Sequence, residues 1–181
     1  MSIVAPSPPR PPSRRELAAR QRLHARRTLT AAGVLLGTGL GGFVDGIVLH
    51  QILQWHHLLT SVPRHENFPD STVRSLEENT FWDGLFHATT WVFVVAGLFL
   101  LWRALAAGAR TTPLRFTGLL LAGWGGFNLV EGIIDHHLLS IHHVRDDVAD
   151  PLPWDLGFLA CGVLLLAVGL LLARMDRVPE D

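Results

Sequence analysis

Two stretches carry most of the residues able to do chemistry. "GFVDGIVLHQILQWHH" (Gly42–His57) holds Asp45, His50, His56 and His57, and "GFNLVEGIIDHHLLSIHH" (Gly126–His143) holds Glu131, Asp135, His136, His142 and His143. Setting Asp45 on Glu131 brings Gly46 onto Gly132, His50 onto His136, and His56 and His57 onto His142 and His143. Each stretch is followed by a shorter matching piece, "FWDGLF" (Phe81–Phe86) and "PWDLGF" (Pro153–Phe158), which pairs Asp83 with Asp155; His87 follows the first. Imidazole nitrogen and carboxylate oxygen together are ordinary ligands for zinc, iron, oxidised copper or manganese. Chance likeness between apolar segments is the alternative to a duplication, but charged and histidine positions coincide here as well as apolar ones.

On helices, positions four, seven or eleven apart share a face. If the first helix runs on towards Pro63, His50, Gln54 and His57 form one stripe, with Asp45 and His56 beside it. Asp83 and His87 share a face of the second helix. His50, His87 and His136 are then the first choice of metal ligands, because they approach from three helices at one depth. Asp83 and Glu131 come next, followed by Asp45. His57 and His143 complete the site from above or form a second, shallower one, and His56 and His142 are further donors. The only cysteine is Cys161, and the only methionines are Met1 and Met175, so a soft thiolate or thioether site is excluded. The expected cofactor is a divalent transition metal (copper, iron or zinc). Paired histidines holding haem b are the electron-transfer alternative. A metal-dependent oxidoreductase or hydrolase, with Asp83 moving the proton of a metal-bound water, is the enzymatic one. In a metal-free alternative these groups only bond one another and act as a pH-responsive scaffold.

The elements that must position these residues are greasy. Four windows, about Thr28–Leu53, Phe81–Trp102, Leu114–Ile134 and Trp154–Ala173, each reach the roughly 20 apolar residues needed to cross about 30 Å of hydrocarbon. Counting about 1.5 Å per residue places Asp45, His50, His87, Glu131, His136 and Asp155 near the outward boundary. An isolated charge within a span costs about 2.5–3.5 kcal/mol on insertion scales, and no arginine stands at that depth to pair with the acids. A shared cation would offset them.

All 15 basic residues are arginines. Twelve of them stand before the first window, between the second and third, or after the fourth, against Arg64, Arg74 and Arg145 in the other two connections, so both termini are expected in the cytoplasm and the two acidic loops outside. The stretch "RRELAARQRLHARR" reads as a flank that fixes orientation, or as a helix lying on anionic headgroups. The proline-rich opening "MSIVAPSPPRPPS" is expected to be disordered. Small residues four apart, Gly33, Gly37 and Gly41 and again Gly118, Ala122 and Gly126, suit close helix contact. The predicted fold is all-α: an integral membrane four-helix bundle built from two parallel helical hairpins, about 28–103 and 113–174, with tails at 1–27 and 175–181. No nucleic-acid motif or phosphate-binding glycine loop is present. The lipid bilayer is the expected partner, and self-association into a homo-oligomer stays open.

The motif "GFVDGIVLHQILQWHH", together with "FWDGLFHATTW", resembles a family of four-span bacterial inner-membrane proteins of the domain-of-unknown-function type, over nearly the whole chain after the basic tail. The resemblance implies a bacterial inner-membrane location and association with a respiratory oxidase or its assembly proteins, which would make copper handling attractive. The histidine spacing departs from the HxxxH and HxxHH boxes of membrane diiron hydroxylases. Asp83 and His87 are faintly similar to a metal site in the C subunit of membrane copper monooxygenases, but Leu100 stands where that family has its third ligand.

Overall fold

The computed structural model describes residues 12–62 and 73–175. Most of the proline-rich opening, Pro63, His65 and Arg177 lie outside the described residues. Four helices are long and apolar enough to cross a membrane. The first, α1 (Arg14–Val44), starts where Ser13 closes a capping box: Glu16 N–H donates to Ser13 Oγ, and Ser13 N–H donates to the Glu16 carboxylate. No glycine or proline interrupts the chain from Arg14 to Thr28. The basic stretch is therefore the opening of α1 itself rather than a separate helix lying along a surface.

The second helix, α2 (Val73–Ala106), precedes α3 (Pro113–Glu131), whose start is set by Thr112 as cap and Pro113 in the first turn. The last, α4, is Leu152–Met175. Burial separates inner from outer helices. Half of the most apolar stretch of α1 and 44% of that of α3 are covered by the rest of the chain, against 11% in α2 and α4. The outer two instead present residues such as Trp91, Val95, Leu98, Leu164 and Leu171. Without water to drive association, small residues at the contact do the work. A Cβ on Gly37 would strike the Leu120 carbonyl and one on Gly123 the Val34 carbonyl, so α1 and α3 meet backbone to backbone. α2 flanks α1, and α4 flanks α3. Gly126, expected on the contact ridge, has open space beside it; its neighbour Gly125 meets α4 instead.

The departure that matters for chemistry lies at the ends of the inner helices. Each passes into a wider π-helical segment, Asp45–Ile52 after α1 and Gly132–Leu138 after α3. Leu53 N–H reaches back to Val48 O and Leu139 N–H to Ile134 O, both at 2.8 Å and five residues apart. Each segment then stops at a residue in left-handed conformation, Gln54 (φ 51°) and Ser140 (φ 48°). The first helix thus ends near Ile52 rather than running on towards Pro63. A π segment changes the angular step per residue, and the left-handed turn reverses the chain, so the expected His50–Gln54–His57 stripe does not form. His56 and His142 are instead carried back over the helix ends.

Candidate metal centre

The C-terminal ends of α1 and α3 and the N-terminal ends of α2 and α4 all lie at one end of the bundle. Two groups of side chains meet there: Asp45, His50 and His56, and Glu131, His136 and His142. In each, one donor atom per residue lies within 4.8 Å of the others, and all six residues are buried, at 0–4% exposure. Both groups have the composition and spacing to hold a metal ion.

The direction of each imidazole follows from what holds its Nδ1. His56 Nδ1–H donates to Val144 O at 2.9 Å, and His142 Nδ1–H donates to Leu58 O at 3.1 Å. A carbonyl only accepts, so both rings carry their proton on Nδ1 and turn a bare Nε2 towards the cluster. His50 Nδ1 lies 3.0 Å from Asp83 Oδ1, and His136 Nδ1 lies 3.5 Å from Asp155 Oδ1. A carboxylate or carbonyl behind the ring is the usual support of a metal-ligating histidine. The four rings touch in a row: His50–His56 at 4.5 Å between centroids, His56–His142 at 4.6 Å, and His142–His136 at 4.8 Å.

The inward atoms find nothing to bond. Asp45 Oδ2, His50 Nε2, His56 Nε2, both Glu131 oxygens, His136 Nε2 and His142 Nε2 are buried without hydrogen-bond partners. His50 Nε2 and Asp45 Oδ2 approach to 3.1 Å but are not aligned for a hydrogen bond. Two ligands about 2.0–2.1 Å from a tetrahedral ion would stand roughly 3.3 Å apart, close to what is seen. Leaving a buried polar atom unbonded costs about 1–3 kcal/mol, so a cation held by these atoms would offset a substantial cost.

The chain matches, over residues 32–176, the family described as "Predicted membrane protein (DUF2243)". It belongs to that family. No curated protein and no solved structure matches it. It is a membrane protein, with the bilayer as its surroundings, and the paired groups sit inside the matched region.

The remaining candidates are placed around the two groups. Asp83 is buried, with His50 Nδ1 and Leu58 N–H on Oδ1 and His57 Nδ1 at 2.7 Å from Oδ2. Asp155 repeats the pattern with His143 Nδ1 at 2.7 Å and Val144 N–H at 2.9 Å. Asp83 thus bonds both His50 and His57, whereas Asp155 bonds His143 and faces His136 Nδ1 at 3.5 Å without a hydrogen bond; His57 and His143 are partly exposed. Asp155 joins the site beyond the candidates named from sequence, and its alignment with Asp83 is the signal for it. His87 belongs to neither group. Its Nδ1–H donates to Asp83 O at 2.7 Å, one turn back on α2, and its Nε2 end packs against Gly46. The choice of His50, His87 and His136 as a set spread over three helices gives way to two sets, each drawn from one inner helix and the turn after it.

That turn was the part hidden from helical periodicity. The two loops interlock above the rings: Ser61 N–H donates to Ile141 O, and Asp146 N–H to Trp55 O. The Arg145 guanidinium lies over both Trp55 and Trp154, 4.9 and 4.8 Å from their ring centres. Beneath this lid, burial holds the His56 imidazole down at about 4 and pushes His142 well below the ordinary value, both directions favouring the neutral ring a metal requires.

Proposed function

We propose that this chain binds a divalent transition metal through Asp45, His50 and His56 and through Glu131, His136 and His142. We further propose that it handles that metal at the periplasmic face of a bacterial inner membrane. The observation that carries this reading is that every one of the six triad residues has a buried nitrogen or oxygen without a hydrogen-bond partner. The arginine distribution supports an outward-facing site with both termini in the cytoplasm. The nitrogen and oxygen donor set suits copper, iron or zinc, and supply to a respiratory oxidase or its assembly proteins is the use that fits a buried periplasmic store.

Holding the ion is favoured over turning over a substrate. The ligands are 0–4% exposed, which leaves no open face for a lipidic molecule, and the oxygens of Asp83 are taken by histidines and a backbone amide. Haem b fits less well. Axial imidazoles stand opposed across a flat macrocycle, whereas here His56 lies face to face with His142 and edge-on to His50. A metal-free scaffold would leave the inward atoms unbonded.

Elemental analysis of detergent-purified protein tests the reading, with wild type beside the double variant His50→Ala, His136→Ala. Stoichiometric metal in the wild type, lost in the variant, is the expected result. Equal trace metal in both would overturn it, and a Soret band would redirect it to haem.

A further inference from the structure

The two triads are not separate compartments. His56 of the first and His142 of the second share a stacked face, with centroids 4.6 Å apart and planes 5° from parallel. His50 reaches His142 at 6.1 Å, and His56 reaches His136 at 6.3 Å, so each ring of one triad neighbours a ring of the other. The acids border the same row of rings, Asp45 Oδ2 standing 3.1 Å from His50 Nε2. Glu131 Oε1 is 3.9 Å from His142 Nε2, and both of its oxygens are buried and unbonded. An ionised carboxylate buried beside this row of rings needs a positive charge close by. Among the described residues, Asp45 is paired with His50 and Glu131 with His142, and His56 and His142 have already given their Nδ1 protons to carbonyls. Proteins that place two ions close together commonly do so with carboxylates shared between them and histidines at the flanks.

We propose that the six residues form one dinuclear centre, in which Asp45 and Glu131 are shared between two metal ions, His50 and His56 flank one ion, and His136 and His142 flank the other. This rests on the metal-binding reading above and adds the number of ions and their contact. The matched halves explain why the chain builds the motif twice: each inner helix supplies one acid and one histidine, and each returning turn supplies the second histidine. It also assigns Asp83 and Asp155 one role each, as the acid that fixes the orientation of His50 or His136 and hence the place of one ion.

The test uses the full chain in detergent, stripped of metal and titrated with copper(II) against a weak competing chelator. Bound copper is counted by elemental analysis, and its spins are counted by electron paramagnetic resonance. A dinuclear centre takes up two ions per chain, yet shows a spin count well below two, because neighbouring ions couple through shared carboxylates. In His136→Ala, one ion should remain with an ordinary uncoupled spectrum and a full spin, which excludes radical loss or reduction as the cause of the missing intensity. Two ions with two full spins, or a single ion per chain, would overturn the dinuclear centre while leaving metal binding standing. No bound ion in the wild type would overturn both.

Discussion

The ring of His56 lies flat on the ring of His142, and each is anchored by a carbonyl from the opposite half of the molecule: His56 by Val144 O and His142 by Leu58 O. The exchange ties the two loops into one lid over the bundle end. It also fixes both tautomers, since a ring that donates from Nδ1 to a carbonyl must point Nε2 the other way. The backbone of each loop therefore aims a histidine that the other loop carries.

Removing a carboxylate behind a ring should weaken binding without abolishing it. For Asp83→Asn, the amide cannot accept from both His50 and His57, so His50 loses its fixed orientation. Loss of such support typically lowers metal affinity by about 10–100-fold. Chelator competition on the purified variant checks this, and Asp155→Asn should behave alike through His136. Unchanged affinity in both would show that these acids do not position the ligands.

Close approach of the inner helices predicts a strong size limit at Gly37. Its Cβ position is filled by the Leu120 carbonyl, a backbone atom that cannot rotate aside. Gly37→Val should lower thermal stability in detergent by the equivalent of at least about 1–3 kcal/mol, the usual cost of overpacking. Gly126→Ala, with open space beside it, should be neutral or slightly stabilising.

Acid should destabilise the metal-free protein over a defined window. The folded state holds His56 down at about 4, while the unfolded chain protonates the same ring near its ordinary 6.5. Between those values the unfolded state binds the extra proton, so stability is full above about 6.5 and falls as pH drops towards 4. Unfolding midpoints measured across this range should slope downward, and more shallowly in His56→Ala. A flat profile in the wild type would show that the ring is not buried neutral.

The lid has its own test. Arg145→Ala removes the cation lying over Trp55 and Trp154 and should speed hydrogen exchange at the Ser61 and Asp146 amides several-fold, together with a change in tryptophan fluorescence. Arg145→Lys should recover little, because a point charge cannot lie across two rings as a planar guanidinium does.

Much of this was legible in the chain. Length and hydropathy announced four spans, since nothing else in a short protein stays apolar for about 20 residues at a time. The matched positions Asp45 and Glu131, His50 and His136, and His56 and His142 are residues that the structure gathers in two groups, where the sequence suggested one set spread over three helices. Asp83 and Asp155 were marked by the same alignment. The assumption of a constant angular step placed His57 on a stripe with His50, and equal depth alone made His87 a ligand, although its Nδ1–H is spent on Asp83 O.

Sequence by itself determined how far along each span the residues lie, because each span needs about 20 apolar residues. Only the tertiary structure decided which way they point. A π segment and a left-handed residue at Gln54 and Ser140 are selected by packing and hydrogen bonds made after the helices meet. The carbonyls that aim His56 and His142 come from residues more than 80 positions away in the chain, and no local pattern encodes a contact of that range.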